Sequence, residues 1–315
     1  MKKGILFISL LTLALLQACG GDGGDSGSTS PTSGGGGGGS VTPPSGGDGG
    51  GTVTPPSGGD GGGTVTPPSG GDGGGSGGTT PPAAGDQGSV SAPFVVTAQS
   101  RYLMFSPSAT SMGPLVDAQQ SASGAMVGLT SSSNTMSLGG TSATKDIAGD
   151  ASYAIGRWVQ GTATTYSGTE ELTGADNRSY YYAVDNIPAS FPAVGSYACG
   201  LQSATTPTRV SGTGPDTGVM DSTGVALSFD TAGAHLSGTT TVTVGGETAT
   251  AGVPTLLTNP SSWVAAGQYY ANGTGNLVQV ADAGNGNYGL MVGYAALMSS
   301  GALYHGVAYL SCAAN

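Results

Sequence analysis

The chain has 315 residues, 61 of them glycine; only 8% are charged, and 18 acidic residues against 7 basic ones give a net charge of −11 at pH 7. So acidic a chain repels phosphate backbones and anionic headgroups, which excludes nucleic acid as a partner. It contains two histidines and three cysteines, with no Cys-x-x-Cys, no His-x-x-x-His and no glutamate beside a histidine. That is too few ligands for a common zinc or iron site, and neither a metal nor another cofactor is expected.

At the N-terminus, Lys2 and Lys3 precede an apolar run from Gly4 to Leu16, which ends in Leu16-Gln17-Ala18-Cys19. These are the charged, hydrophobic and cleavage regions of a secretory signal over residues 1–18, too short to span a bilayer comfortably. The segment resembles the signal of bacterial lipoproteins, in which the cysteine receives a diacylglyceryl thioether and, after cleavage, an acylated amino group. The resemblance implies that Cys19 is the lipidation site and that the membrane is a partner through this anchor. Each buried methylene contributes about 0.8 kcal/mol, so three palmitate-like chains hold a protein permanently where one does not. An ordinary signal cut with a free Cys19 is the other reading. Gly20 stands where an aspartate retains many such proteins in the inner membrane, so the analogy favours the outer membrane with exposure at the cell surface.

From Gly20 to about Gln87 the sequence is nearly all Gly, Ser, Thr, Pro and Asp. The unit Thr-Val-Thr-Pro-Pro-Ser-Gly-Gly-Asp-Gly-Gly-Gly starts at Thr52 and Thr64, with a near copy from Ser40 and a degraded one through Thr79-Thr80-Pro81-Pro82. Such a segment has too little apolar surface to offset the entropy of ordering its backbone, so residues 19–90 are expected to be a lipidated end followed by a disordered linker. About 70 flexible residues span on the order of 45 Å on average. A calcium repeat is excluded because only Gly61, Gly62 and Gly63 follow Gly58-Gly59-Asp60. The Gly-x-Ser-x-Gly match around Ser76 has neither a strand before it nor a helix after it, and is an accident of composition.

Hydrophobic patterning begins near Pro93, and residues 91–315 read as one β domain, with 91–150 left open as a separate N-terminal part. The dominant period is two. Val225 to Asp230 alternates apolar with small or polar residues, Thr231 to Ala234 turn the chain, and Leu236, Gly238, Thr240, Val242 and Val244 give one face of a partner strand. Gly245-Gly246 turns it again towards Glu247 to Val253. The last residues repeat the plan: Leu277 to Ala283, a Gly284-Asn285-Gly286-Asn287 turn, Tyr288 to Leu297, and Ala302 to Cys312. The predicted fold is all-β, an antiparallel barrel of about eight strands or a sandwich. In the last strand Leu303, His305, Val307 and Tyr309 share one face and Tyr304, Gly306, Ala308, Leu310 and Cys312 the other; the sequence does not say which is inside. Cys199 and Cys312 can close one disulfide in an oxidising compartment, or remain two small buried thiols.

Ile155-Gly156-Arg157-Trp158-Val159-Gln160-Gly161, then Tyr180-Tyr181-Tyr182-Ala183-Val184, then Phe191-Pro192-Ala193-Val194-Gly195-Ser196-Tyr197 resemble in order and type the β-barrel of transferrin-binding protein B and related surface lipoproteins. The resemblance covers Tyr153 to Cys199 and, loosely, the terminal hairpins. It implies a lipid anchor, a low-complexity tether and an eight-stranded barrel that binds a host protein, a haem or iron carrier, or an envelope partner. No ligand-contact motif of that family matches, so no binding residue is carried over.

Among residues that could carry chemistry, Glu170, Glu171 and Asp176 lie close together between two predicted strands, as paired carboxylates do in glycosidases; a solvated loop explains them equally. Tyr180 and Tyr182 fall on one strand face and Tyr181 on the other, so at least one ring is expected near the surface, where tyrosine suits recognition. Packing explains the same pattern. Trp158 reads as a packing residue, and Trp263 has no context. With no nucleophile signature, no enzymatic activity is expected. The alternatives are a hydrolase using His235 or His305 with a nearby serine and aspartate, and a purely structural envelope component.

Overall fold

The computed structural model describes residues 85–106, 109–175 and 178–315; Cys19, the repeats, Ser76 and Asp176 lie outside the described residues. What is described is all-β, as the alternating sequence requires, and every strand pairing is antiparallel. The first sheet comprises β1 (Ser100–Phe105), β2 (Thr110–Pro114), β3 (Asp117–Gln120), β4 (Met126–Thr130), β5 (Thr135–Gly149), β6 (Tyr153–Thr165), β7 (Gly168–Thr173) and β8 (Tyr180–Asn186). Their order is β2-β1-β8-β6-β5-β4-β3, with β7 added to β6, and the sheet curls into a half-barrel.

The second sheet comprises β9 (Gly195–Ala204), β10 (Thr208–Ser211), β11 (Val219–Asp230), β12 (Gly233–Val244), β13 (Glu247–Gly252), β14 (Leu256–Leu257), β15 (Val264–Gly267), β16 (Gly275–Gly284), β17 (Asn287–Leu297) and β18 (Leu303–Ala314). It runs β13-β12-β11-β9-β18-β17-β16-β15 and forms a nearly closed barrel. Two of its hairpins turn on two residues at positive φ, Gly245-Gly246 (56° and 88°) and Asn285-Gly286 (55° and 76°), which is the turn geometry whose twist matches paired strands.

β13 does not pair with β15 or β16, and Asn276 spans the gap from inside. The residue is fully buried. Its Nδ2 donates to Gly252 O at 3.0 Å and to Ala251 O at 3.4 Å, while its Oδ1 accepts from Thr240 Oγ1 at 2.8 Å. One buried amide thus ties β16 to β12 and to the end of β13 where no ladder joins β13 and β16, with its own polar atoms satisfied.

Three apolar cores result. One fills the barrel (Leu227, Phe229, Val242, Val280, Leu290, Val292, Tyr294, Leu310) and one lines the half-barrel around Trp158, Tyr180 and Tyr182. The third joins the two sheets: Leu103, Phe105, Tyr153, Ile155 and Tyr181 of the first pack on Leu277, Met291, Val307 and Tyr309 of the second. β16, β17 and β18 are therefore buried on both faces. In the last strand Tyr304, Ala308, Leu310 and Cys312 point into the barrel while Leu303, Val307 and Tyr309 point at the half-barrel. At Gly293 the sheets approach so closely that a Cβ would lie 2.3 Å from the Phe105 ring. The outer faces of β12 and β13, by contrast, are wet and carry threonine pairs, Thr241 with Thr250 and Thr243 with Thr248, at 3.2 and 3.3 Å.

Two boundaries differ from the sequence reading. Residues 91–150 are not a separate part, because β5 and β6 on either side of Asp150 are paired neighbours; the break between sheets falls in 187–194. The segment resembling transferrin-binding protein B consequently lies mostly in the half-barrel, and only its end enters the barrel. Contacts to the first sheet also begin before residue 91. Asp86 accepts hydrogen bonds from Ser123 Oγ (2.8 Å), Ser121 Oγ (3.2 Å) and Thr144 N (2.9 Å), and Gln87 bonds the backbone of Thr144. A carboxylate with three donors fixes a segment that composition alone marks as linker.

Cys199 and Cys312 form a disulfide between register partners on β9 and β18, with Cα atoms 4.0 Å apart and a sequence separation of 113. A closed loop of that length restricts the unfolded chain strongly. Replacing both cysteines with alanine should lower unfolding free energy by about 2–5 kcal/mol in denaturant titration. Alkylation of the native protein without reductant should leave both unmodified.

Candidate binding cleft

Where the half-barrel meets the barrel, a cleft of about 580 Å³ opens between the facing ends of β1 and β2, the 3-10 turn Tyr269–Ala271 that links β15 to β16, and β18. Its walls include Ser106, Thr110, Tyr269, Tyr270, Asn272 and His305. That volume suits a small organic ligand or one residue of a larger partner. The turn holding the tyrosines is built locally: Ala271 N and Gly273 N both donate to Gln268 O, at 2.9 and 3.0 Å, and Asn272 takes φ 55°, a value asparagine tolerates.

The aromatic residues are stacked in depth. Phe105 from the third core lies 5.6 Å from the Tyr269 ring and 6.1 Å from the His305 ring. Tyr269 is buried and meets Tyr270 edge-on at 5.1 Å and 85°, leaving Tyr270 63% exposed at the rim. Burial pushes the His305 imidazole down to about 4, so it is neutral at pH 7 and its ring nitrogens comprise one donor and one acceptor. Burial also raises the Tyr269 phenol. Among the described residues none that lines the cleft carries a charge at pH 7, although the chain as a whole is strongly acidic.

Tyr180, Tyr181 and Tyr182 are all buried, contrary to the expectation of an exposed ring, because both faces of β8 are covered. Tyr180 Oη donates to Glu170 Oε2 at 2.7 Å, and Tyr182 Oη accepts from Met126 N at 3.2 Å. Tyr181 bonds Thr208 across the seam between the sheets. Trp158 packs as expected, with Nε1 donating to Met126 O at 2.6 Å, though in the half-barrel core. Trp263 lies partly buried against the third core.

Glu170 and Glu171 sit within a strand, not a loop, and as neighbours in β7 they point to opposite faces. Glu170 binds Tyr180 and lies 3.8 Å from Arg178, while Glu171 accepts from Thr162 Oγ1 at 2.6 Å; the two cannot act as a pair. His235 lies far from His305 in the strand order, on the wet face of β12, its Nε2 2.9 Å from Asp230 Oδ1 without the alignment of a hydrogen bond. Ser228 is its register partner on β11, yet no hydrogen bond joins the two side chains. Among the described residues neither histidine shares a cavity with both a serine and an aspartate.

Three polar residues that the sequence reading did not single out govern the seam. Asp146, on a bulge of β5 at φ 57°, accepts from Arg157 Nε at 2.9 Å and from Thr206 N and Oγ1 at 3.0 and 3.1 Å, linking the half-barrel to the chain after β9. Arg157 itself is 2% exposed and donates to Ser179 Oγ at 3.0 Å. Asp185, the register partner of Arg101 and Tyr153, is fully buried, and neither of its oxygens has a hydrogen-bond partner among the described residues. Its signal was a carboxylate closing the apolar run Tyr180 to Val184.

Among the described residues no cluster of three metal-ligating side chains occurs, and no helix is long and apolar enough to cross a membrane. No family model matches the chain, no curated protein matches it, and no solved structure matches its fold. What the fold and cleft define is a class by architecture: a two-sheet β unit, half-barrel on barrel, with an uncharged aromatic cleft at the seam.

Proposed function

We propose that the chain is a surface lipoprotein, held in the bacterial outer membrane by an acylated Cys19, whose half-barrel and barrel form a binding module. The observation that carries this reading is the order Lys2-Lys3, apolar run, Leu16-Gln17-Ala18-Cys19, followed by a Gly/Pro-rich spacer and an all-β unit. The Cys199–Cys312 disulfide supports export, since such bonds persist in oxidising compartments. The likeness of Tyr153 to Cys199 to transferrin-binding protein B supports a partner of the host-protein, haem or iron-carrier, or envelope kind. In this reading no bond is made or broken; tethering raises the local concentration of the binding unit at the membrane.

Metabolic labelling with a palmitate analogue should tag the wild-type chain and leave Cys19→Ala untagged, with the wild type in the membrane fraction and the variant released. Equal labelling of the two would refute the anchor.

A further inference from the structure

From the cleft's lining we infer that it binds a neutral, hydroxyl-rich ligand with one apolar face, a saccharide unit of a glycan. The inference rests on the reading of the chain as a binding module and names the ligand class of that module's cleft.

Charge removes most other classes. A phosphate, a carboxylate or an acidic peptide would need a cation in the wall, and a basic ligand would need a carboxylate; the lining supplies neither. What it supplies is a set of neutral groups that donate and accept: the Tyr270 hydroxyl, the Asn272 amide and the neutral His305 imidazole. Such a set matches ring hydroxyls, which also do both.

An apolar face on the ligand is required by the other wall. Tyr270 is exposed yet held at right angles to Tyr269, and Tyr269 is fixed in turn by Phe105. Tyrosine has few rotatable bonds, so a platform fixed in this way loses little entropy on contact. A flat apolar surface beside neutral hydrogen-bonding groups fits a pyranose, whose C–H face stacks while its rim of hydroxyls bonds. A wholly apolar ligand would leave the Asn272 amide and the His305 imidazole unpaired on burial, which is costly.

The test uses the full chain, purified in detergent, on an array of neutral and acidic glycans, followed by titration with the strongest neutral oligosaccharide. We expect binding to at least one neutral glycan, a loss of ten-fold or more in affinity for Tyr270→Ala, retention of most affinity by Tyr270→Phe, and no change for Val219→Ala, an exposed site outside the cleft. Unchanged melting temperatures would show that each variant folds. The inference fails if no neutral glycan binds, if only acidic glycans or peptides bind, or if Tyr270→Ala binds as the wild type does. Cys19→Ala should bind the same glycan, so loss of the anchor and loss of the site are read separately; retention of a protein partner without any glycan would sink the inference and leave the binding module standing.

Discussion

Replacing Asp146 with alanine should destabilise the protein by about 2–3 kcal/mol, the cost of losing a charge-assisted hydrogen bond to a buried arginine. Arg157 has almost no exposure, and an Asp146 carboxylate oxygen lies 2.9 Å from its Nε. The same carboxylate satisfies the backbone N–H and the hydroxyl of Thr206, so the substitution breaks the bond network inside the half-barrel and the link to the barrel together. Position 146 also has φ 57°, where alanine is strained by about 1 kcal/mol and asparagine much less. Asp146→Asn should therefore fall between wild type and alanine. Combining Asp146→Asn with Arg157→Met should cost less than the two single changes added, because both remove the same interaction. Urea unfolding in a Cys19→Ala background measures all of these; additive losses would show that Arg157 does not depend on Asp146.

A second large effect should depend on pH. Burial pushes the Asp185 carboxyl up to about 8, opposed only in part by Arg101. The groups around it are Arg101 on β1, Tyr153 on β6 and Tyr309 on β18, with Asp150 also acting on Tyr309; the Tyr153 and Tyr309 rings stack at 3.6 Å. Between its unfolded value near 4 and its folded value near 8, the folded protein holds a proton that the unfolded chain has released, so stability falls as pH rises through that window and levels off above it. Four units at about 1.4 kcal/mol each put the cost on the order of 5 kcal/mol at the alkaline end. Asp185→Asn, which cannot ionise, should match the wild type near pH 4 and exceed it by several kcal/mol at pH 8.5. A difference between the two proteins that stays constant with pH would contradict this account.

Strand-level organisation was readable because period two and paired turn residues are local properties. Val225 to Val253 and Leu277 to Cys312 fold into the predicted hairpins, with the predicted turns at Gly245-Gly246 and Asn285-Gly286. What the pattern could not say was that two sheets would stack. The signal was nonetheless there: Leu290 to Ala296 and Leu303 to Leu310 are close to continuous apolar runs, as expected of strands covered on both sides. Reading the last strand as alternating left its inner face unassigned, and the same assumption at Tyr180 to Tyr182 put one of three buried tyrosines on the surface. The cleft was invisible for a different reason. Tyr269 and Tyr270 meet Thr110 and His305 only through long-range packing, and no spacing in the sequence joins positions so far apart. Asp146 and Asn276 escaped notice because a polar residue looks exposed until its partners, Arg157 and the edge of β13, are in place.

The unequal covering of the barrel wall divides its residues by how freely they can be replaced. On β12 and β13 the outward threonines meet water, and swaps there perturb stability by tenths of a kcal/mol. On β16 to β18 no side is spare: a larger residue at Gly293 would push Phe105 away and part the sheets. Descendants of this sequence will accordingly diverge on one half of the cylinder and stay nearly fixed on the other, so a recogniser raised against the variable half will lose its target first.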